Sequence, residues 1–178
     1  MNLSTARDKL QHRVTELQAC CSTRSPWVFL GASAFIEYLS NLSGTDYKKF
    51  VSTWLSQIRP EYSSFRYQSG TSDLPDQMYY VLRCGIVHSL SLVPNDRARS
   101  HGGRERSIVL CHRQPGAVHL SSVSKGSISD AALFVAEDFV EDLAKVLGKV
   151  FDRVASDVDL ERSMSSWLQK HPFISAGL

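Results

Sequence analysis

Pro26-Trp27-Val28-Phe29-Leu30-Gly31-Ala32-Ser33-Ala34-Phe35-Ile36-Glu37-Tyr38-Leu39-Ser40-Asn41-Leu42 is apolar around most of a helical circumference and carries one charge, Glu37. A helix that is hydrophobic nearly all round must be covered by other elements, so this stretch predicts the central helix of a helical fold. Ser25-Pro26 opens it, the serine as cap and the proline at the first helical position. Glu37 then needs a charged partner, or an exit to water at the helix edge.

Its neighbours repeat the helical period. Leu3, Leu10, Val14, Leu17 and Cys21 predict an amphipathic helix over about 4–23, and Tyr47, Phe50, Val51, Trp54, Leu55 and Ile58 predict a third that Pro60 ends. Asp73-Leu74-Pro75 opens a fourth helix running to about Leu92, after an irregular connection over 61–73. Residues 95–106 read as an exposed polar loop. Ser107–His112 and Ala117–Ser121 read as two strands joined by Arg113-Gln114-Pro115-Gly116, a β-hairpin over about 107–121. Leu133, Ala136, Phe139, Val140, Leu143, Val146, Leu147, Val150 and Val154 form the stripe of a long fifth helix capped by Ser127 or Ser129. Asp159–Lys170 is a short last helix. The expected fold is mainly α: one domain over 1–178, a bundle of about five or six helices with a β-hairpin inserted between the fourth and fifth.

Composition sets bounds on function. The 178 residues are 43% hydrophobic and 21% charged with a net charge of +2, ordinary globular usage that calls for no disulfide or metal to fold. The four cysteines, Cys20, Cys21, Cys84 and Cys111, lack C-x-x-C spacing, and the histidines show no ligand spacing, so no metal or cofactor is expected. No G-x-S-x-G elbow marks a serine hydrolase. No run approaches the ~18 apolar residues of a membrane span, and the polar N-terminus lacks a secretory core, so a cytoplasmic protein is expected.

The fourth helix carries the clearest chemistry. Arg83 offers a permanently charged fork of donors suited to phosphate, and His88, five residues on, can exchange a proton near neutral pH. Five residues on a straight α-helix turn through about 140°, so the two do not share a face of one. Gly85, a helix end or a second subunit would have to bring them together.

Helical order together with Leu82-Arg83-Cys84-Gly85-Ile86-Val87-His88-Ser89 resembles the HEPN superfamily, small helical bundles marked by Arg, four to six intervening residues, then His on a late helix. The resemblance implies a metal-independent endoribonuclease or RNA-binding protein of a defence or toxin-type system, with Arg83 and His88 catalytic, RNA as partner and a homodimer as assembly. Arg97, Arg99, Arg104 and Arg106 form a basic cluster suited to nucleic-acid phosphates. The same residues fit a second reading, a non-catalytic helical interaction module. There Arg83 pairs with an acid such as Glu37 and His88 donates to a backbone carbonyl, and Cys84 directly after the arginine suits that role.

Overall fold

The computed structural model describes residues 2–68, 70, 72–86, 92–94 and 96–171. Helix α1 (Leu3–Ser22) is capped by Asn2, whose side chain accepts from Thr5 N, and buries Ala6, Leu10, Val14, Leu17 and Cys21 along one stripe. The central helix α2 (Trp27–Leu42) crosses it closely. A Cβ at Gly31 would sit 2.6 Å from Leu17 Cδ2, so a larger residue there would require the end of the Leu17 side chain to shift. Helix α3 (Tyr47–Thr53), capped by Asp46, runs into a 3₁₀ turn at Leu55–Gln57 ahead of Pro60. The connection expected to be irregular contains the one-turn helix α4 (Glu61–Ser64) and a bridge between Arg66 and Asp73.

Asp73 caps the fourth expected helix as the sequence indicates, accepting from Asp76 N. After one α turn, α5 (Leu74–Gln77), the chain widens into a π-helix over Met78–Ile86. Its hydrogen bonds run five residues back, which brings residues five apart nearer to one face than the α-helical 140° allows. Residues 87–91 lie outside the described residues. The expected polar loop holds a short helix, α6 (Asp96–Ser100).

The expected hairpin over 107–121 is not what forms. Strand β1 (Ile108–Cys111) is present, but 117–121 is not a strand. The hairpin instead joins β2 (Ser122–Lys125) to β3 (Ile128–Val135) through Gly126, whose φ of +60° favours glycine. Strand β3 is central, antiparallel to β2 and parallel to β1, with Ile108 opposite Ala132 and Cys111 opposite Val135. Two signals misdirect the sequence reading. Leu120 adopts a φ of +59°, a left-handed turn that buries both His119 and Leu120, where a strand would send them to opposite faces. Residues 131–135 are mostly buried because β3 is covered on both sides, so their unbroken apolar run passes for the start of a helix.

The long helix therefore begins at Ala136, not at Ser127 or Ser129: α7 spans Ala136–Val154 and α8 spans Val158–Lys170. Helix α7 packs Phe139, Leu143, Val146, Leu147 and Val150 into one core with α1, α2 and β3. Glu137 and Asp138 in its first turn and Arg153 in its last complement the helix dipole. The protein is mainly helical with a small three-stranded sheet, and no helix among the described residues is long and apolar enough to cross a membrane.

Candidate functional site

Arg83 leaves the π-helix beside α2. Its Nη2 lies 3.3 Å from Glu37 Oε1, so the lone acid of the central helix has the partner its setting demands. The guanidinium also sits 5.6 Å from the centre of the Tyr79 ring, a cation–π distance. Arg83 nevertheless opens onto a cavity of about 360 Å³. Tyr79, Tyr80, Arg83 and Cys84 supply one wall, and Arg97, Ala98 and His101 from α6 and its C-terminal end supply the other. Lys48 adds a further cation at the back of Tyr80: its Nζ is 3.1 Å from the phenol oxygen and 4.3 Å from the ring centre, and it pairs with Asp76.

The basic cluster divides on structural grounds. Arg99 donates to Pro94 O and pairs with Glu105. Arg104 reaches Asp130 at 3.2 Å and lies over the Tyr67 ring, and Arg106 donates to Ser127 O. Arg99 thus joins the arm between α6 and β1 to α6, while Arg104 and Arg106 tie that arm to the β2–β3 hairpin. Arg97 differs. Among the described residues its guanidinium has no hydrogen-bond or ion-pair partner, and it shares the cavity with Arg83. The other half of the sequence motif, His88, lies outside the described residues.

The arm is held by Gln77, which is fully buried. Its Nε2 donates to Gly102 O at 2.7 Å, while its Oε1 accepts from Arg104 N and Ser107 Oγ, both at 2.9 Å. Gly103 then presses onto both α6 and the π-helix, where a Cβ would meet Ala98 O at 2.8 Å and Tyr80 Cβ at 3.0 Å. These contacts fix His101 against the cavity, its ring 6.3 Å from that of Tyr80. The histidines show no ligand spacing, and His101 lies in the polar loop that holds the arginine cluster. Its one local signal is the Gly102-Gly103 pair, which permits a tight turn.

A second polar group is sealed in the core. His119 Nδ1 accepts from Val135 N at 3.0 Å, which leaves the proton of the neutral ring on Nε2, 3.1 Å from Tyr62 Oη. Tyr62 donates in turn to Asp142 Oδ2 at 3.1 Å, and Arg59 Nε donates to the same oxygen at 2.9 Å. Burial, reinforced by the charge of Arg59, pushes His119 down to about 3. Burial likewise raises the Asp142 carboxyl, against the opposing pull of Arg59 and Tyr62. The His119 and Asp142 side chains are each 1% exposed, so no substrate reaches them, and the network serves to join α4, the approach to β2 and α7.

A larger cavity, about 690 Å³, lies between α1, α2 and α8 and is walled by Leu10, Leu17, Trp27, Phe35 and Trp167. Its charged rim residues Arg13 and Glu16 pair with each other at 2.8 Å, so their charges are already matched. The smaller cavity also holds Arg97, a cation unpaired among the described residues, and is therefore the stronger candidate for recognising an anion. Among the described residues no group of three His, Cys, Asp or Glu side chains is placed to hold a metal ion. Comparison with protein-family models, curated proteins and solved structures gives no match to this chain.

Proposed function

We propose that the cavity between the π-helix and α6 binds the phosphodiester backbone of RNA, and that the protein is a HEPN-like, metal-independent endoribonuclease or RNA-binding protein. One observation carries this reading: Arg97, unpaired among the described residues, faces the same cavity as Arg83. Two guanidinium groups on opposite walls suit a phosphate that offers several acceptor oxygens. Tyr79 and Tyr80 beside them suit the base that a single-stranded phosphate brings along.

In the catalytic form, the 2′-hydroxyl attacks the adjacent phosphorus and expels the 5′-oxygen, giving a 2′,3′-cyclic phosphate and a 5′-hydroxyl. Arg83 stabilises the charge developing on phosphorus, and His88, assigned by the sequence motif, acts as general base. DNA lacks the nucleophile and stays intact. A homodimer of a defence or toxin-type system, set in the cytoplasm, belongs to the same proposal; the dimer and the system rest on the family resemblance.

The ion pair of Arg83 with Glu37 favours a second reading, a non-catalytic interaction module in which Arg83 joins the π-helix to α2. Labelled single-stranded RNA incubated in EDTA separates the two. Cleavage by the wild-type chain that leaves cyclic phosphate ends, lost in an Arg83→Ala, His88→Ala variant, supports the nuclease. Wild-type RNA binding without cleavage, weakened in Arg97→Ala, supports the binding form. Neither binding nor cleavage leaves the interaction module.

A further inference from the structure

We infer that one purine base of the bound RNA strand stacks between the Tyr80 and His101 rings. The inference deepens the RNA reading above and rests on its binding form alone, with no cleavage step.

The two rings line the same cavity from opposite walls, Tyr80 on the π-helix and His101 just past the end of α6. Their centroids are 6.3 Å apart and their planes are inclined by 35°. A base stacked on both of its faces needs rings about 6.8 Å apart, two stacking steps of ~3.4 Å. The observed separation is too wide for the two rings to stack face to face and close to what an inserted base requires. Tyr80 is held from behind by Lys48, whose Nζ lies 4.3 Å from the ring centre and 3.1 Å from the phenol oxygen. His101 is held by the bond its Nδ1 donates to Arg97 O at 2.7 Å.

That bond also joins His101 to the unpaired guanidinium of the site, while Tyr80 and Arg83 share the π-helix. Each wall therefore presents one ring and one guanidinium, which match the base and the phosphate of a nucleotide. No acidic side chain lines the cavity, and its volume of about 360 Å³ is at the small end of ligand sites, suited to one nucleotide and not to a run of stacked bases. Stacking strength sets what base preference such a site has, and the fused rings of a purine overlap two walls more fully than a single pyrimidine ring does. The Lys48 cation behind Tyr80 works in the same direction, because it draws electron density from that ring and favours an electron-rich base on the front.

The test uses three short strands of ribose phosphates, equal in length and charge, that carry adenine, uracil or no base at one central position and are abasic elsewhere. Fluorescence anisotropy at one salt concentration should show wild type binding the adenine strand about 10-fold tighter than the abasic one and at least about 3-fold tighter than the uracil one. The adenine-to-abasic ratio should fall towards one in Tyr80→Leu and in His101→Leu and persist in Tyr80→Phe, which keeps the ring. Each protein serves as its own reference, so a general loss of affinity does not move the ratio. His101 is exposed, so His101→Leu carries the comparison if Tyr80→Leu does not fold. A wild-type ratio near one, or a ratio that survives His101→Leu, overturns the inference and leaves the phosphate-binding reading standing. Equal affinity for adenine and uracil overturns the purine assignment. Absence of binding of all three strands, and of ordinary single-stranded RNA, removes the RNA reading and this inference with it.

Discussion

Tyr62→Phe removes one oxygen from the centre of the buried network and little else. The ring remains to pack against Phe139, 6.5 Å away between centroids, so the apolar contribution is kept. Two hydrogen bonds go: the one Tyr62 donates to Asp142 Oδ2 and the one it accepts from His119, both at 3.1 Å. Asp142 keeps Arg59 at 2.9 Å, but the His119 Nε2 proton is left facing Asp142 Oδ2 at 3.7 Å, beyond a good hydrogen bond. A bond to a charged group contributes about 1.5–3 kcal/mol and a neutral one about 0.5–1.5 kcal/mol, so the loss should be about 2–4 kcal/mol. For a chain of this size that lowers Tm by about 5–15 °C. Urea unfolding followed by circular dichroism measures it, as a lower midpoint with an unchanged m-value. A loss below about 0.5 kcal/mol would mean that the network does not hold the sheet to α7.

The same network predicts the response to acid. His119 titrates near 3 in the fold against an ordinary 6.5, so the folded state binds fewer protons. Stability should be flat above pH 6.5 and fall by up to about 1.4 kcal/mol per pH unit below it, levelling off near pH 3. Asp142, raised by burial, has the opposite sign just above its ordinary 3.8 and should blunt the lower part of that slope. Urea midpoints measured from pH 7 to pH 4 check this, and a midpoint that does not fall with acid contradicts it. Gly103→Ala drives a Cβ onto backbone at 2.8 Å and should cost about 1–3 kcal/mol while weakening RNA affinity, read by unfolding and by fluorescence anisotropy on one preparation. Arg99→Ala, which breaks an exposed pair with Glu105, should change stability by no more than about 1 kcal/mol in the same unfolding assay.

The helices were legible wherever one face had to be buried and a cap closed the end. Asn2, Asp46, Asp73 and Asp157 each accept a backbone hydrogen bond at a helix start, and α1, α2 and α8 begin and end within a residue or two of where their apolar stripes do. Strand β1 was legible from its β-branched run, but the rest of the sheet was not, for a physical reason: a central strand covered on both faces loses the alternation that identifies strands, and Leu120 breaks the pattern with a left-handed residue. The site was half visible. Arg83 stood out as a charge among apolar residues, and its pairing with Glu37 followed from the need to match two isolated charges. The partition of the arginine cluster depended on Pro94, Glu105, Asp130 and Ser127, which no local spacing reveals. The link from Tyr62 to His119 and Asp142 spans 57 and 80 residues of chain, beyond the reach of any periodicity.

The central claim is that Arg83 and Arg97 share one phosphate-binding cavity, and the salt dependence of RNA affinity tests it most directly. Dissociation constants for a single-stranded RNA would be measured by fluorescence anisotropy over a range of salt concentrations, for wild type, Arg97→Ala and Arg99→Ala. Removing one phosphate contact from single-stranded nucleic acid should reduce the slope of log affinity against log salt by about 0.7. The account predicts that reduction for Arg97→Ala and an unchanged slope for Arg99→Ala, whose charge is already matched by Glu105. Equal slopes for wild type and Arg97→Ala, or no salt-dependent binding by the wild-type protein, would contradict it.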